Sequence, residues 1–304
     1  MYDTIIIGAG TAGMTAAIYL RRAGKKVLIF ERENTGGQIV YSPKIENYPA
    51  IASIGGADYA MRLFGQAENQ GAQFEFDEIL SIKKEEAKGE KTFFALSGSK
   101  TYEAKSIIIA SGVKHRRLGL EHENKFSGAG LSYCAVCDGA FFKGKTVAVV
   151  GGGSTALTDA LFLSNTSKKV YLIHRRDGFR GERRLVESLK EKENVEFVMN
   201  SEIKELIGGE TLSAVKVFDK KTAQESVITL QGLFVAIGFL PANAAFKDIV
   251  ALDGDGYIEA REDCKTSEAG IFTAGDCRTK EVRQLATAAA DGAVAALAAC
   301  KYLA

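Results

Sequence analysis

Tryptophan is absent from this 304-residue chain, and there are only 3 prolines and 5 cysteines. Cysteine this sparse, and odd in number, excludes a disulfide-stapled scaffold. No charge of one sign prevails: 39 basic against 38 acidic residues leave a formal net charge of +1. That balance gives no electrostatic footprint for nucleic acid or an anionic membrane surface. Long hydrophobic runs are also missing. The longest, near Gly232 to Leu240, is about half of what a membrane span needs. Gln284 to Ala304 is long and Ala-rich, but Asp291 interrupts it, which predicts a buried helix. Met1 is followed at once by a strand-like Tyr-Asp-Thr-Ile-Ile-Ile, so no secretory leader is expected and the chain reads as cytoplasmic. Glycine, by contrast, is plentiful at 32 residues. With so little proline, it points to close backbone approaches inside regular structure rather than to flexible linkers.

A length of 304 residues suggests two domains, and strand-like runs alternate with helical patterns, as in an α/β protein with largely parallel sheets. The informative feature is a repeat. Thr4 to Glu33 and Thr146 to Asp177 each read as strand, glycine-rich turn, helix, connector and strand. From the first glycine to the residue ending the second strand, 31 minus 8 and 174 minus 151 both give 23. Further strand-like segments are Lys91 to Leu96, Tyr102 to Ala104 leading to Ser106 to Gly112, Val195 to Asn200, Leu212 to Phe218, Val227 to Leu230 and Leu233 to Ile237, and a closing segment, Gly256 to Glu259 and then Gly270 to Asp276, precedes the last helix. Glycine and proline punctuate the chain near Gly112 to Arg117 and near Gly238 to Ala242. The second βαβ unit therefore reads as an insertion.

Gly8-Ala-Gly10-Thr-Ala-Gly13 follows a strand and opens a helix. The first glycine permits the turn, the second lets backbone approach a pyrophosphate, and the third allows close helix–strand packing. The pyrophosphate would sit at the helix N-terminus. A glycine turn can merely pack, but here Glu31 stands where a carboxylate would accept hydrogen bonds from a ribose 2′-hydroxyl and repel a 2′-phosphate. In the second unit Ala156 takes the third glycine's place after Gly151-Gly-Gly153-Ser-Thr, and the ribose position is His174, followed by Arg175, Arg176 and Arg180. Guanidinium groups pair bidentately with phosphate oxygens. The first turn thus suits FAD and the second NADPH. The same three letters at His115-Arg116-Arg117 follow no nucleotide-binding unit and read as exposed linker.

Cys134-Ala-Val-Cys137 is followed by Asp138. Structural zinc usually takes four ligands, commonly from two such pairs, whereas Cys264, Cys277 and Cys300 are isolated and read as packing residues. A lone CxxC favours a dithiol–disulfide couple over a metal site or an inert pair. Asp138 could donate or accept the proton that dithiol formation requires, or act as a turn or N-cap residue.

Nucleotide turn, CxxC and second nucleotide turn, in that order, resemble the low-molecular-weight thioredoxin reductases of bacteria over the whole length. The resemblance is carried by Gly8 to Gly13, Gly36-Gly-Gln-Ile-Val40, Ile45-Glu-Asn-Tyr-Pro49, Cys134 to Asp138, Gly151 to Ala156, His174-Arg-Arg176 with Arg180, and Thr273-Ala-Gly-Asp276 with Arg283-Gln284. It implies two Rossmann-like three-layer domains, with an FAD domain at 1–113 and 242–304 interrupted by an NADPH domain at 114–241 that carries the CxxC. It also implies FAD contacts from Gly8, Gly10, Ala12, Gly13, Glu31, Arg32, Gly37, Gln38, Asn47, Ala110, Gly112, Gly275, Asp276, Arg283, Gln284 and Leu285. NADPH contacts are implied for Gly151, Gly153, Ser154, Thr155, His174, Arg175, Arg176, Arg180 and Ile237. Cys134 and Cys137 would form the redox disulfide, with the thiolate of Cys137 facing the flavin, and Asp138 would be catalytic.

The resemblance implies a homodimer acting on thioredoxin, with no metal. Arg283-Gln284-Leu285 opens the last helix, whose amides could stabilise negative charge on a reduced flavin. In glutathione- and lipoamide-type reductases the redox cysteines follow the first unit, yet Glu31 to Pro49 contains none. A related flavin reductase with NADH or ferredoxin as donor, or a glutaredoxin-like acceptor, is the alternative reading. The chain departs from the family's usual run at Ser154 and at Thr158-Asp159, and reads Arg180-Gly181 where Arg-Ala is usual.

Overall fold

A computed structural model describes residues 1–304 except Pro43, Lys88 and Ser99. The chain forms two compact units, Met1–Lys114 with Leu240–Ala304, and His115–Phe239. The fold is mixed α/β with parallel sheets.

In the first unit the sheet runs in the order Gln73–Glu75, Val27–Phe30, Tyr2–Ile7, Thr101–Ile109, Glu90–Leu96, Ser81–Ala87. Ile271–Thr273 joins Thr101–Ile109 in parallel. The parallel strands are apolar on both faces because both are covered. Ile6, Ile29 and Ile108 pack under the helices Thr11–Arg22 and Leu285–Tyr302, with Met14, Leu20, Ala295, Ala296 and Ala299. Ile5, Ile7, Leu28, Phe30, Ile107 and Ile109 fill the opposite face with Phe93, Phe246 and Ile258. Small residues let the two helices meet closely: a methyl on Gly292 would overlap the Ala12 carbonyl.

Thr101–Ile109 is one strand where the sequence suggested two. Its first half pairs antiparallel with Glu90–Leu96 and alternates buried with exposed, while Ile107 to Ile109 pair in parallel on both sides and are wholly buried. The change of environment along a single strand is what split the pattern. Gly256 to Glu259 forms no strand; Ile258 makes only isolated bridges. Asp253 Oδ1 accepts the N–H groups of Asp255 and Tyr257, both at 2.9 Å, and curls the backbone into a turn.

The second unit holds a five-stranded parallel sheet in the order Val195–Val198, Lys169–Ile173, Thr146–Gly151, Gly232–Ala236, Leu131–Ser132. Helix Ser154–Ser164 covers one face through Ala156, Leu157, Ala160 and Leu163. An antiparallel sheet, Ser201–Gly208, Leu212–Asp219 and Gln224–Thr229, adds the remainder. Ser201–Gly208 went unseen in the sequence because a register shift between Ile203 and Glu205 breaks the period of two. The inward residues Ile203 and Leu206 are consequently three apart, with Lys204 and Glu205 both exposed between them. Among the described residues, no helix is long and apolar enough to cross a membrane.

Candidate active site

The first glycine turn has been cleared of side chains. Gly8 has φ +110°, and a methyl there would overlap the carbonyl of Ala110, itself tied to the sheet by its N–H to Ile7 O at 2.8 Å. A methyl on Gly13 would overlap Gly8 O. Gly10 caps helix Thr11–Arg22 without any side-chain bond to the first-turn amides, which stay available to an anion. Glu31 stands just beyond strand Val27–Phe30; its Oε2 accepts Ala9 N–H at 2.9 Å and its Oε1 accepts Glu33 N–H at 2.8 Å. Gly36 N–H donates to Ala9 O at 2.8 Å and delivers Gly37 and Gln38 onto the 3₁₀ turn Gly37–Tyr41 beside the loop. Arg32 turns aside to Glu78 at 2.8 Å. Gly112 is half-buried, and a methyl there would meet no atom within 4 Å.

The C-terminal segment packs against this turn. Asn47 Nδ2 donates to Gln284 Oε1 at 3.2 Å, joining two expected site residues far apart in sequence. Gln284 caps the last helix in a reciprocal box with Thr287, and Leu285 packs on Ile45, Ile54 and Tyr59. Gly275, at φ +81°, lies against Ala12, where a methyl would come within 2.9 Å of the Ala12 Cβ. Asp276 Oδ1 is buried with no hydrogen-bond partner, and burial holds this carboxyl above its ordinary pKa. Arg283 stacks over the Tyr257 ring at 4.4 Å. A buried orphan carboxyl oxygen, an uncapped helix terminus and a turn without side chains together fit a bound dinucleotide.

Sequence reasoning missed what anchors this segment. Arg278 is fully buried and pairs with Asp291 of the last helix, whose Oδ2 also accepts Lys280 Nζ at 2.9 Å and Gly275 N–H at 3.0 Å. The only local signal was a charged residue inside an Ala-rich helix.

The second turn follows the same plan. A methyl on Gly151 would overlap the Ala236 carbonyl and come within 2.6 Å of Ala156 Cβ, so only glycine fits at 151. Gly153 caps helix Ser154–Ser164 without a side-chain bond, Ser154 and Thr155 are exposed at its first turn, and Ile237 is half-buried beyond strand Gly232–Ala236. Arg175, Arg176 and Arg180 are exposed, and among the described residues none forms a salt bridge. His174 differs from them: it is buried, stacks on Phe179 with ring centroids 5.1 Å apart, and its Nε2–H donates to Gly178 O at 3.1 Å. Burial first, and then the neighbouring arginines, hold its pKa below the usual value.

The cysteine pair lies in this second unit. Cys134 and Cys137 are joined by a disulfide with Cα atoms 5.3 Å apart. Cys134 is the N-cap of the short helix Ala135–Asp138, and the Cys137 N–H points at Cys134 Sγ at 3.2 Å. Cys137 and Val136 are exposed; Cys134 is half-buried. Asp138 Oδ2 accepts Ser132 Oγ–H at 2.6 Å, while Oδ1 is buried and unpartnered. Burial raises the Asp138 pKa against the opposing Ser132 bond. Cys264 and Cys277 are buried free thiols and Cys300 is half-buried; burial pushes Cys264 up to about 12.

His115 corrects the linker reading. Arg116 and Arg117 are exposed, but the His115 ring is packed between Tyr133 at 5.0 Å and Phe239 at 4.8 Å. Tyr133 in turn donates its hydroxyl to buried Glu123 at 2.8 Å.

The family model for pyridine nucleotide-disulphide oxidoreductases matches residues 2–293. The chain is 42% identical to a thioredoxin reductase of Listeria innocua over 100% of this chain and 94% of that one. It is 40% identical to a thioredoxin reductase of Bacillus subtilis, covering 100% and 95%. The crystal structure of thioredoxin reductase from Streptococcus pyogenes superposes with a TM-score of 0.93 at 38% identity, covering 100% of this chain and 98% of that one.

Proposed function

This chain belongs to the pyridine nucleotide-disulphide oxidoreductase family, and on that premise we propose that it reduces the disulfide of thioredoxin at the expense of NADPH. The observation that carries the reading is the Cys134–Cys137 disulfide, with the buried carboxyl of Asp138 beside it. FAD belongs to Met1–Lys114 with Leu240–Ala304: Gly8 to Gly13 hold the pyrophosphate, Glu31 the ribose hydroxyls, and Gly37, Gln38, Asn47, Asp276 and Arg283 to Leu285 the remainder. NADPH belongs to His115–Phe239, with its pyrophosphate on Gly151 to Thr155 and its 2′-phosphate on Arg175, Arg176 and Arg180. When bound, FAD supplies the two-electron link between nicotinamide hydride and disulfide.

The residues of this chain then do three things. Two electrons and two protons convert Cys134–Cys137 to a dithiol, with Asp138 positioned to hold or release one proton. The Cys137 N–H, 3.2 Å from Cys134 Sγ, favours a thiolate there. One thiolate attacks the thioredoxin disulfide, forming a mixed disulfide and releasing a thioredoxin thiolate; the second thiolate resolves it, so one disulfide is reduced as the other re-forms. We infer a cytoplasmic homodimer from the family resemblance alone, and a net charge of +1 gives no reason to add a nucleic-acid partner.

Steady-state thioredoxin reduction with NADPH and with NADH tests the reading. Each charge-assisted phosphate bond contributes about 1.5–3 kcal/mol, so kcat/KM should favour NADPH by at least ~100-fold, and Arg175→Ala should remove about tenfold of that. Equal use of both donors, or turnover only with reduced ferredoxin, would overturn it.

A further inference from the structure

Within His115–Phe239, Ser132 stands between the redox pair and Asp138. It is buried, and in strand Leu131–Ser132 it lies opposite Phe234. Its Oγ accepts the Cys134 N–H at 3.0 Å and has one proton to give. Two acceptors are within reach, Asp138 Oδ2 at 2.6 Å and Cys134 O at 3.3 Å. The shorter contact takes the proton, because Cys134 O already accepts the Asp138 N–H at 3.1 Å. The backbone of Cys134, the hydroxyl of Ser132 and the side chain of Asp138 therefore close a ring. Asp138 Oδ2 is held in that ring, while Oδ1 is buried and, among the described residues, has no partner.

Little else near this carboxyl carries charge. A methyl on Gly139 would come within 3.0 Å of Phe162 Cε1 and 3.1 Å of Leu163 Cδ2, so helix Ser154–Ser164 packs on the turn after the cysteines. The one ionisable side chain of that helix is Asp159, a turn before Phe162 and Leu163 on the same face, and burial lifts it to about 7. The Phe142 ring packs on Phe234 of strand Gly232–Ala236, centroids 5.3 Å apart, and neither that strand nor Gly139–Phe142 has an ionisable residue. Tyr133, beside Ser132, turns its hydroxyl to Glu123. Burial raises the Asp138 pKa, and the Ser132 bond, which favours the carboxylate, opposes it.

We propose that Ser132 is a positioning residue for proton exchange at the redox pair: by occupying Oδ2 it keeps Oδ1 as the atom of Asp138 that gives and takes the proton. When two electrons enter the disulfide the Sγ–Sγ bond breaks. One sulfur takes the Oδ1 proton, the other stays a thiolate, and the Ser132 O–H stabilises the carboxylate left behind. The thiolate then attacks the thioredoxin disulfide. As the remaining thiol resolves the mixed disulfide it returns its proton to Asp138, and both thioredoxin sulfurs leave as thiolates. The inference rests on the thioredoxin reductase reading and on the part given there to Asp138.

The test is a double-mutant cycle on the holoenzyme, with kcat for thioredoxin followed across pH in wild type, Ser132→Ala, Asp138→Asn and the double variant. Ser132→Ala should lower kcat about tenfold, the worth of one charge-assisted hydrogen bond, while NADPH still bleaches the flavin. The limb of the profile that Asp138→Asn abolishes should move to higher pH by about one unit, since burial is then unopposed. In the Asn background, removing the hydroxyl should change kcat by less than about twofold. Ser132→Thr, which keeps the hydroxyl, should hold both the rate and the limb of wild type, and a displaced Thr limb counts against the inference even where the Ala variant loses its flavin. Losses that add across the cycle, or a Ser132→Ala limb that stays in place, overturn it. If Asp138→Asn matches wild type, the role of Asp138 falls and this inference with it; if wild type does not reduce thioredoxin, the functional reading falls. If Asp138→Asn is slow and Ser132→Ala is within twofold of wild type, only the inference falls.

Discussion

Asp291 grips Arg278 with both carboxylate oxygens, Oδ2 to Nε at 2.8 Å and Oδ1 to Nη2 at 2.9 Å, in a pair almost sealed from solvent. The same carboxylate receives the N–H of Gly275 at 3.0 Å, one residue before Asp276. The last helix therefore fixes the segment that carries Asp276. Burial of two opposite charges is tolerated because each is multiply hydrogen-bonded.

Asp291→Asn should be costly, since it strands Arg278 and Lys280 without a full counter-charge. Breaking such a pair costs about 3–5 kcal/mol, read as a lowered urea midpoint at neutral pH, together with easier loss of flavin on dialysis. Burial alone would raise the Asp291 carboxyl, but the bonds and charges of Arg278 and Lys280 outweigh it and hold it below 3.8. Its stabilising contribution is therefore present above about pH 4 and lost as pH falls through the lower folded value. The wild-type acid limb should show that loss, and the Asn variant should not.

Asp138→Asn should lower thioredoxin turnover by roughly 10²-fold, the lower range for a positioned proton donor. Bleaching of the flavin by NADPH should survive. The deficit should narrow as pH approaches the ordinary thiol pKa of about 8.5, where the thiolate forms unaided. A pH–rate series on both proteins checks this.

His115 should make the protein acid-sensitive. Burial, and then the charge of Arg117, push its pKa down to about 4, from 6.5. Between these values the unfolded chain binds a proton that the folded one refuses, so stability falls as pH drops from about 6.5 toward about 4. His115→Phe keeps a ring between Tyr133 and Phe239 and should flatten that slope in urea titrations at stepped pH.

The two βαβ units were legible because a glycine turn, a strand before it and a helix after it are local signals that agree with one another. Neighbours distant in sequence were not. Arg278 and Asp291 come from different elements, and nothing local marks them as partners. Ser201–Gly208 hid behind a bulge that shifts its inward face by one residue. His115 looked like a copy of the His174 run, yet its ring is packed because Tyr133 and Phe239 converge on it from opposite ends of the unit. His174 stood at the expected ribose position, and its structure adds what spacing could not, a buried ring beneath the turn with the exposed cations all to its C-terminal side.

The most direct test of electron passage through the sulfur pair is an anaerobic titration with NADPH, following flavin absorbance and thioredoxin reduction together in wild type and Cys137→Ser. Both proteins should bleach, and only the wild type should reduce thioredoxin. A Cys137→Ser protein that reduces thioredoxin at the wild-type rate would contradict the account.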